Sequence, residues 1–268
     1  MKKSLFWFLA VVITLAALAY QRLTGPTYPF RGKAAVGAME IKYRLPRSAQ
    51  TTKDCEVAVK MADPAVSGQV VYMRYKTEDP WTTLDMTRKD DSLVAFLPKQ
   101  PSAGKLAYRV ILVHEGRQIS LTAENPLVIR FKDHVPIWVV VPHVIIIFLG
   151  MLFSIRAGFE ALDPKSKPRG FAILATVFLI LGGFLFGPLM QKFAFGVWWT
   201  GFPLGSDLTD TKTLISIVAW IIALVANRKG KRARGWVLAA ALITLVVFLI
   251  PHSVLGSELD YSTLEAPK

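Results

Sequence analysis

One cysteine in 268 residues, Cys55, leaves no partner for an internal disulfide and no thiolate set for a metal cluster. Histidine is scarce too, with four copies. The chain shows no glycine-rich nucleotide loop, no Ser-His-Asp or Cys-His spacing, and no internal repeat of the kind found in inverted-repeat transporters. Acidic residues are few. There are 19 against 32 Lys and Arg, which gives a net charge of +13.

A basic surplus of that size serves nucleic acid when it gathers on one folded face. Here it does not. Lys2 and Lys3 precede a hydrophobic run; Arg156, Lys165, Lys167 and Arg169 fill one short loop; Arg228, Lys229, Lys231, Arg232 and Arg234 fill another. Most of the others are scattered among Asp and Glu. The charges are read as solvated, membrane-flanking groups, with lipid and not nucleic acid as the partner.

What the chain has in quantity is apolar side chains, 53% of residues, gathered into long runs. Residues 1–21 form a short apolar stretch behind two lysines, either a signal anchor or a signal peptide cleaved after Ala17-Leu18-Ala19. Residues 22–133 read as water-soluble, and 134–253 carry four further spans, near 136–155, 171–190, 214–226 and 236–250. The expected fold is multi-domain: an α-helical transmembrane bundle of five spans, or four if the first is cleaved, plus an extracytoplasmic all-β sandwich. The two basic loops are two spans apart and share a side, which the positive-inside rule makes cytoplasmic. That places the protein in the inner (cytoplasmic) membrane with its N-terminus inside. The soluble domain, the 188–212 loop and the 254–268 tail then face out.

Within 22–133, period-two segments fall at 37–43, 56–61, 69–75, 93–97, 106–114, 118–121 and 127–131, separated by Pro, Gly, Asp and Asn. Seven short strands at that spacing predict a sandwich. The segment 105–121, with Glu115-Gly116 at its turn, resembles a late hairpin of an immunoglobulin-like or fibronectin type III module. Such modules bind or space, so a partner protein of the cell envelope is expected there.

The stretch 193–214 packs aromatics, glycines, two carboxylates and a lysine into one outward loop. Trp198, Trp199 and Phe202 suit an interfacial aromatic belt, and Asp207, Thr209 or Asp210 suit a helix cap. The same face collects histidines: His134 and His143 near the start of the second span, and His252 after the last. Imidazole is the usual axial ligand of b-type heme, whose flat ring suits Trp and Phe faces and whose propionates suit Lys192 or Lys212. His114 belongs to a strand turn at the surface.

This order of features resembles the heme-handling membrane proteins of cytochrome c maturation, which carry a tryptophan-rich WWD loop flanked by outward histidines. Trp198, Trp199 and the segment 207–216 echo that loop. Ser206 stands where the family has tryptophan, and the sixth span is missing. The resemblance covers about 135–253. It implies heme b held between His143 and His252, lined by Trp198, Trp199, Phe202 and Asp207, with the β-domain receiving an apocytochrome. Two other functions stay open: a non-enzymatic envelope accessory protein acting through its β-domain, and a transporter or ion-coupled protein using His143 and the acidic loop. Asp207, Asp210, Glu258 and Asp260 also allow a divalent-metal site with a histidine, although no short ligand spacing marks one.

Overall fold

A computed structural model describes residues 2–122, 125–228 and 233–265. Lys229, Lys231 and Arg232 of the second basic loop lie outside them, as does the end of the tail, 266–268. The chain divides into two units. One comprises Met1–Pro26 with Val135–Ser257, the other Thr27–His134 with Glu258–Lys268.

The second unit is built of strands. In chain order they are β1 (Phe30–Val36), β2 (Met39–Leu45), β3 (Ser48–Gln50), β4 (Cys55–Lys60), β5 (Ser67–Arg74), β6 (Thr82–Asp85), β7 (Thr87–Lys89), β8 (Ser92–Leu97), β9 (Lys105–His114), β10 (Arg117–Ser120) and β11 (Leu127–Lys132). Strands β1 and β2 form a hairpin; β3-β11-β9-β5-β6 form a sheet in which β10 also pairs β9; β4-β8-β7 form a third sheet. The period-two pattern explains the layering. Leu106, Tyr108, Val110 and Leu112 of β9 point into one core with Val57 and Val59 of β4, Leu93, Ala95 and Leu97 of β8, and Ile129 and Phe131 of β11. The 105–121 hairpin turns through Glu115 (φ 50°) and Gly116 (φ 75°), two left-handed residues between the paired His114 and Arg117. A two-residue turn of that hand matches the twist of its strands. Strands β1, β3, β6 and β7 add to the seven that alternation predicts.

The first unit is helical: α1 (Lys2–Thr24), α2 (Ile137–Leu162), α3 (Arg169–Ile180), a π-turn at Leu181–Phe186, α4 (Gly187–Phe195), α5 (Leu208–Ala226) and α6 (Arg234–Leu249). A four-residue helix α7 (Ser262–Glu265) sits in the tail of the other unit. Among the described residues four helices are long and apolar enough to cross a membrane: Lys3–Thr24, Ile137–Leu162, Arg169–Phe195 and Leu208–Ala226. Arg234–Leu249 is also apolar but shorter.

Close helix packing follows from small residues, as is usual in lipid. A Cβ on Gly182 would lie 3.0 Å from the Ile147 backbone of α2, and one on Gly183 would lie 2.2 Å from the Thr213 methyl of α5. Helix α1 presents Ala10, Thr14 and Ala17 as its buried stripe, and Gln21 on the same stripe donates to the Phe248 carbonyl of α6. Its Phe6 stacks on Phe159 and its Trp7 meets Phe153 and Phe171 edge-on.

Lys165, Lys167, Arg169 and Arg228 are exposed as expected, whereas Arg156 and Arg234 are less solvated. Arg156 is only 2% exposed, paired with Glu160 one turn on and ringed by Phe6, Trp7 and Phe171 at 5.6, 5.5 and 4.5 Å. Arg234 donates to the Ala161 carbonyl in the last turn of α2 and to the Asp163, Pro164 and Ser166 carbonyls beyond it, and Arg169 to that of Asn227 beyond α5. Helix C-termini leave carbonyls without intrahelical donors, and guanidinium groups fill that need here.

A candidate polar site at the end of the helical unit

Helix α5 starts at Asp207, whose Oδ1 accepts the Thr209 amide at 2.7 Å, the capping role that its position allows. Its other oxygen does more. Asp207 Oδ2 accepts the Ser257 amide at 2.8 Å and the Ser257 hydroxyl at 2.9 Å, which ties the segment after α6 to the start of α5. One turn on, Asp210 Oδ2 accepts the Thr200 amide at 3.0 Å and the Gln191 side-chain amide at 2.9 Å, which joins α4 and the aromatic loop to the same helix. Asp207 is 5% exposed, Asp210 6% and Lys212 5%. The Lys212 ammonium donates to the Ile250 carbonyl at the end of α6, at 2.8 Å.

The centre of this cluster is the Thr200 hydroxyl. It lies 3.4 Å from Asp207 Oδ2, 3.4 Å from Asp210 Oδ2 and 3.0 Å from the Ser257 hydroxyl, which itself stands 3.4 Å from Gln191 Oε1. With the bond from Ser257 to Asp207, five oxygen–oxygen approaches share two hydroxyl protons. The Gln191 amide also donates to the Thr200 hydroxyl oxygen at 3.1 Å, and an added proton or a small monovalent cation is chemistry that such a carboxylate-rich cluster can accept. Among the described residues no group of three or more His, Cys, Asp and Glu gathers as a metal site.

The residues expected to hold heme are placed differently from one another. His143, next to Pro142 in α2, has its Nδ1 3.1 Å from the Gly182 carbonyl in the π-turn. Donation from Nδ1 leaves Nε2 with its lone pair, the arrangement of a metal-ligating imidazole held by a backbone carbonyl. His252 is exposed, and its main-chain carbonyl lies near Gly25 at the end of α1. Trp199 tilts against Phe184 at 5.3 Å and gives its indole N–H to the Gly201 and Phe202 carbonyls. Trp198 is exposed beneath the Lys192 ammonium, and Phe202 is exposed. Asp207 caps α5, accepts from Ser257 and faces the Thr200 hydroxyl. The donor set thus fits one axial imidazole, His143, while Asp207 and Trp199 hold the loop together.

His134 belongs to the β-unit, and so does His114, whose Nε2 is 3.7 Å from Asp63 and whose ring packs under Gly37 in the β1–β2 turn. Glu258 and Asp260 also belong to the β-unit. Gln191, Thr200 and Ser257 carry no local signal: each is one polar residue in an apolar or loop setting, and only the fold brings them to the two aspartates. No family model matches the chain, and no curated protein matches it significantly.

Proposed function

We propose that this is an ion-coupled membrane protein that takes up a proton or a small monovalent cation at the outer end of its helical unit. The observation that carries this reading is the single Thr200 hydroxyl within 3.4 Å of two buried carboxylates. Ionisable groups are costly to bury within a membrane bundle, and where they are kept they mark ion and proton paths. Asp207 and Asp210 accept the ion, Thr200, Ser257 and Gln191 surround it, and the nearby Lys212 ammonium offsets the remaining negative charge.

The outer placement rests on chain parity together with the positive-inside rule. Residues 258–265 pack with the β-unit, and so do residues 27–134. An even number of crossings therefore separates 134 from 258, and α6 crosses as well, for five spans in all. Its 16 residues reach ~24 Å at ~1.5 Å per residue, short of the ~30 Å hydrocarbon, which tilting neighbours and local thinning accommodate. The positive ends, Lys2-Lys3, 165–169 and 228–234, then face the cytoplasm, with the protein in the inner membrane. Proteoliposomes test the function. A pH-dye assay and sodium uptake distinguish the two ions, and the Asp210→Asn variant is expected to abolish whichever flux wild type shows. Flux equal to that of empty vesicles for both ions overturns the reading.

A second reading, heme b bound at the same end, is favoured by the His143 geometry alone. Heme loading in detergent would give a Soret band that the His143→Ala variant loses. No band, or one unchanged in that variant, removes it.

A further inference from the structure

The tail beyond Ser257 makes unusually specific bonds for eight residues. The Glu258 carboxylate bridges Lys105 Nζ at 2.7 Å and Lys76 Nζ at 3.0 Å, and the Leu259 amide donates to the Ala103 carbonyl at 3.1 Å. Tyr261 is 5% exposed. Its hydroxyl accepts the Lys105 amide at 2.9 Å and stands 3.0 Å from the Lys105 carbonyl and 3.1 Å from Gln100 Oε1. The Arg74 guanidinium lies 5.1 Å over the ring, itself held by Asp79 at 2.5 and 2.9 Å. Gly104 leaves room for the phenol: a Cβ there would sit 3.0 Å from its oxygen.

Every element of peptide recognition is present: a charge clamp, a backbone bond, and an aromatic anchor desolvated in a polar-rimmed slot. The slot reads both ends of one short motif. We propose that Arg74, Lys76, Gln100, Gly104 and Lys105 form a binding site for peptides with an acidic residue three positions before a tyrosine, masked in this chain by its own Glu258–Tyr261. A partner segment with that motif, presented at high local concentration, competes with the tail for the slot. The β-unit thereby has a recognition site whose access the C-terminus controls.

The test uses the full-length protein and a variant ending at Ser257, each in detergent, with a fluorescent synthetic peptide of residues 256–265 as probe. The truncated protein should bind the peptide, and the full chain should bind it about tenfold more weakly or worse, because its own tail competes. Peptides with Tyr261→Ala or Glu258→Gln should lose about tenfold in affinity. Equal binding by the two proteins, or by wild-type and Tyr261→Ala peptides, overturns the proposal. If the truncated chain does not fold, hydrogen exchange on the full chain decides. The Leu259 amide should be protected in wild type and exchange faster in Tyr261→Ala; equal rates refute the slot.

Discussion

Replacing Arg156 by leucine isolates the largest buried charge interaction in the helical unit. The guanidinium and the Glu160 carboxylate are 2% and 11% exposed as side chains, so neither is screened by solvent. Removing one member of a buried pair costs about 3–5 kcal/mol, chiefly because the remaining charge stays buried without its partner. The three rings around Arg156 add a desolvated cation–π contribution of about 2 kcal/mol. Arg156→Leu is therefore expected to cost about 5–7 kcal/mol, and Glu160→Leu about 3–5 kcal/mol. The double variant behaves differently. Two leucines fill similar volume and leave no charge behind, so only the ring contacts are lost, about 2 kcal/mol. Reversible SDS titration in mixed micelles, followed by tryptophan fluorescence, measures all four corners of the cycle. The single variants should also expose α1 to protease, since Phe6 and Trp7 lean on the guanidinium. Simple addition of the two single costs in the double variant would refute the coupling and with it this account of α1.

Other outcomes follow from single sites. Asp207→Ala removes the α5 cap and leaves the Ser257 amide without its acceptor, for about 2–4 kcal/mol, while Asp207→Asn keeps most of the cap; thermal melts in detergent rank them. Tyr108, fully buried, donates to the Pro46 carbonyl at 2.6 Å, and burial pushes its phenol up; Tyr108→Phe should cost about 1–3 kcal/mol in the same melts. Burial, with help from Glu56 and against Lys53, pushes the Cys55 thiol up to about 11. At pH 8 only ~0.1% is thiolate, so iodoacetamide should label Cys55 slowly, with the rate rising about tenfold per pH unit toward pH 11. Partial burial works against ionisation of Glu258, but bonds and charges from Lys105 and Lys76 hold its carboxyl below the usual 4.5. A carboxylate held low stabilises its bonds at neutral pH and loses that contribution as pH falls through its folded value. Tail exchange protection should then be flat from pH 8 to about 5 and fall in more acid solution.

Much of the architecture is local and was readable. Runs of apolar residues foretold the helices, and alternation with Glu115-Gly116 foretold the β9–β10 hairpin. Strands β3, β6 and β7 were not readable. They are three or four residues long, and their partners, not their own alternation, make them strands. Strand β1, with Gly32, Ala34 and Ala35, is too weakly apolar for period two to show. The polar site hid for a different reason. Asp207 and Ser257 are 50 positions apart, and Gln191 and Asp210 are 19, so no spacing rule links them. The use of Trp199 to brace its own loop was not legible either, because it depends on Phe184 in the π-turn of the preceding span. The π-turn itself left no mark beyond Gly182-Gly183.

That turn acts as a phase shifter. Relative to an ordinary helix, a π-turn accommodates one extra residue, and one residue is ~100° of rotation about the axis. Everything after it in the span, Gln191 included, faces a direction that an uninterrupted helix would give to a neighbour. Deleting a single residue between Leu181 and Phe186 would leave an apolar helix of nearly unchanged composition and length. It would also turn Gln191 away from Asp210 and aim the aromatic loop elsewhere. In this protein the meaning of this end of the helical unit is carried by angle as much as by residue type, and a one-residue indel there is a larger change than many substitutions.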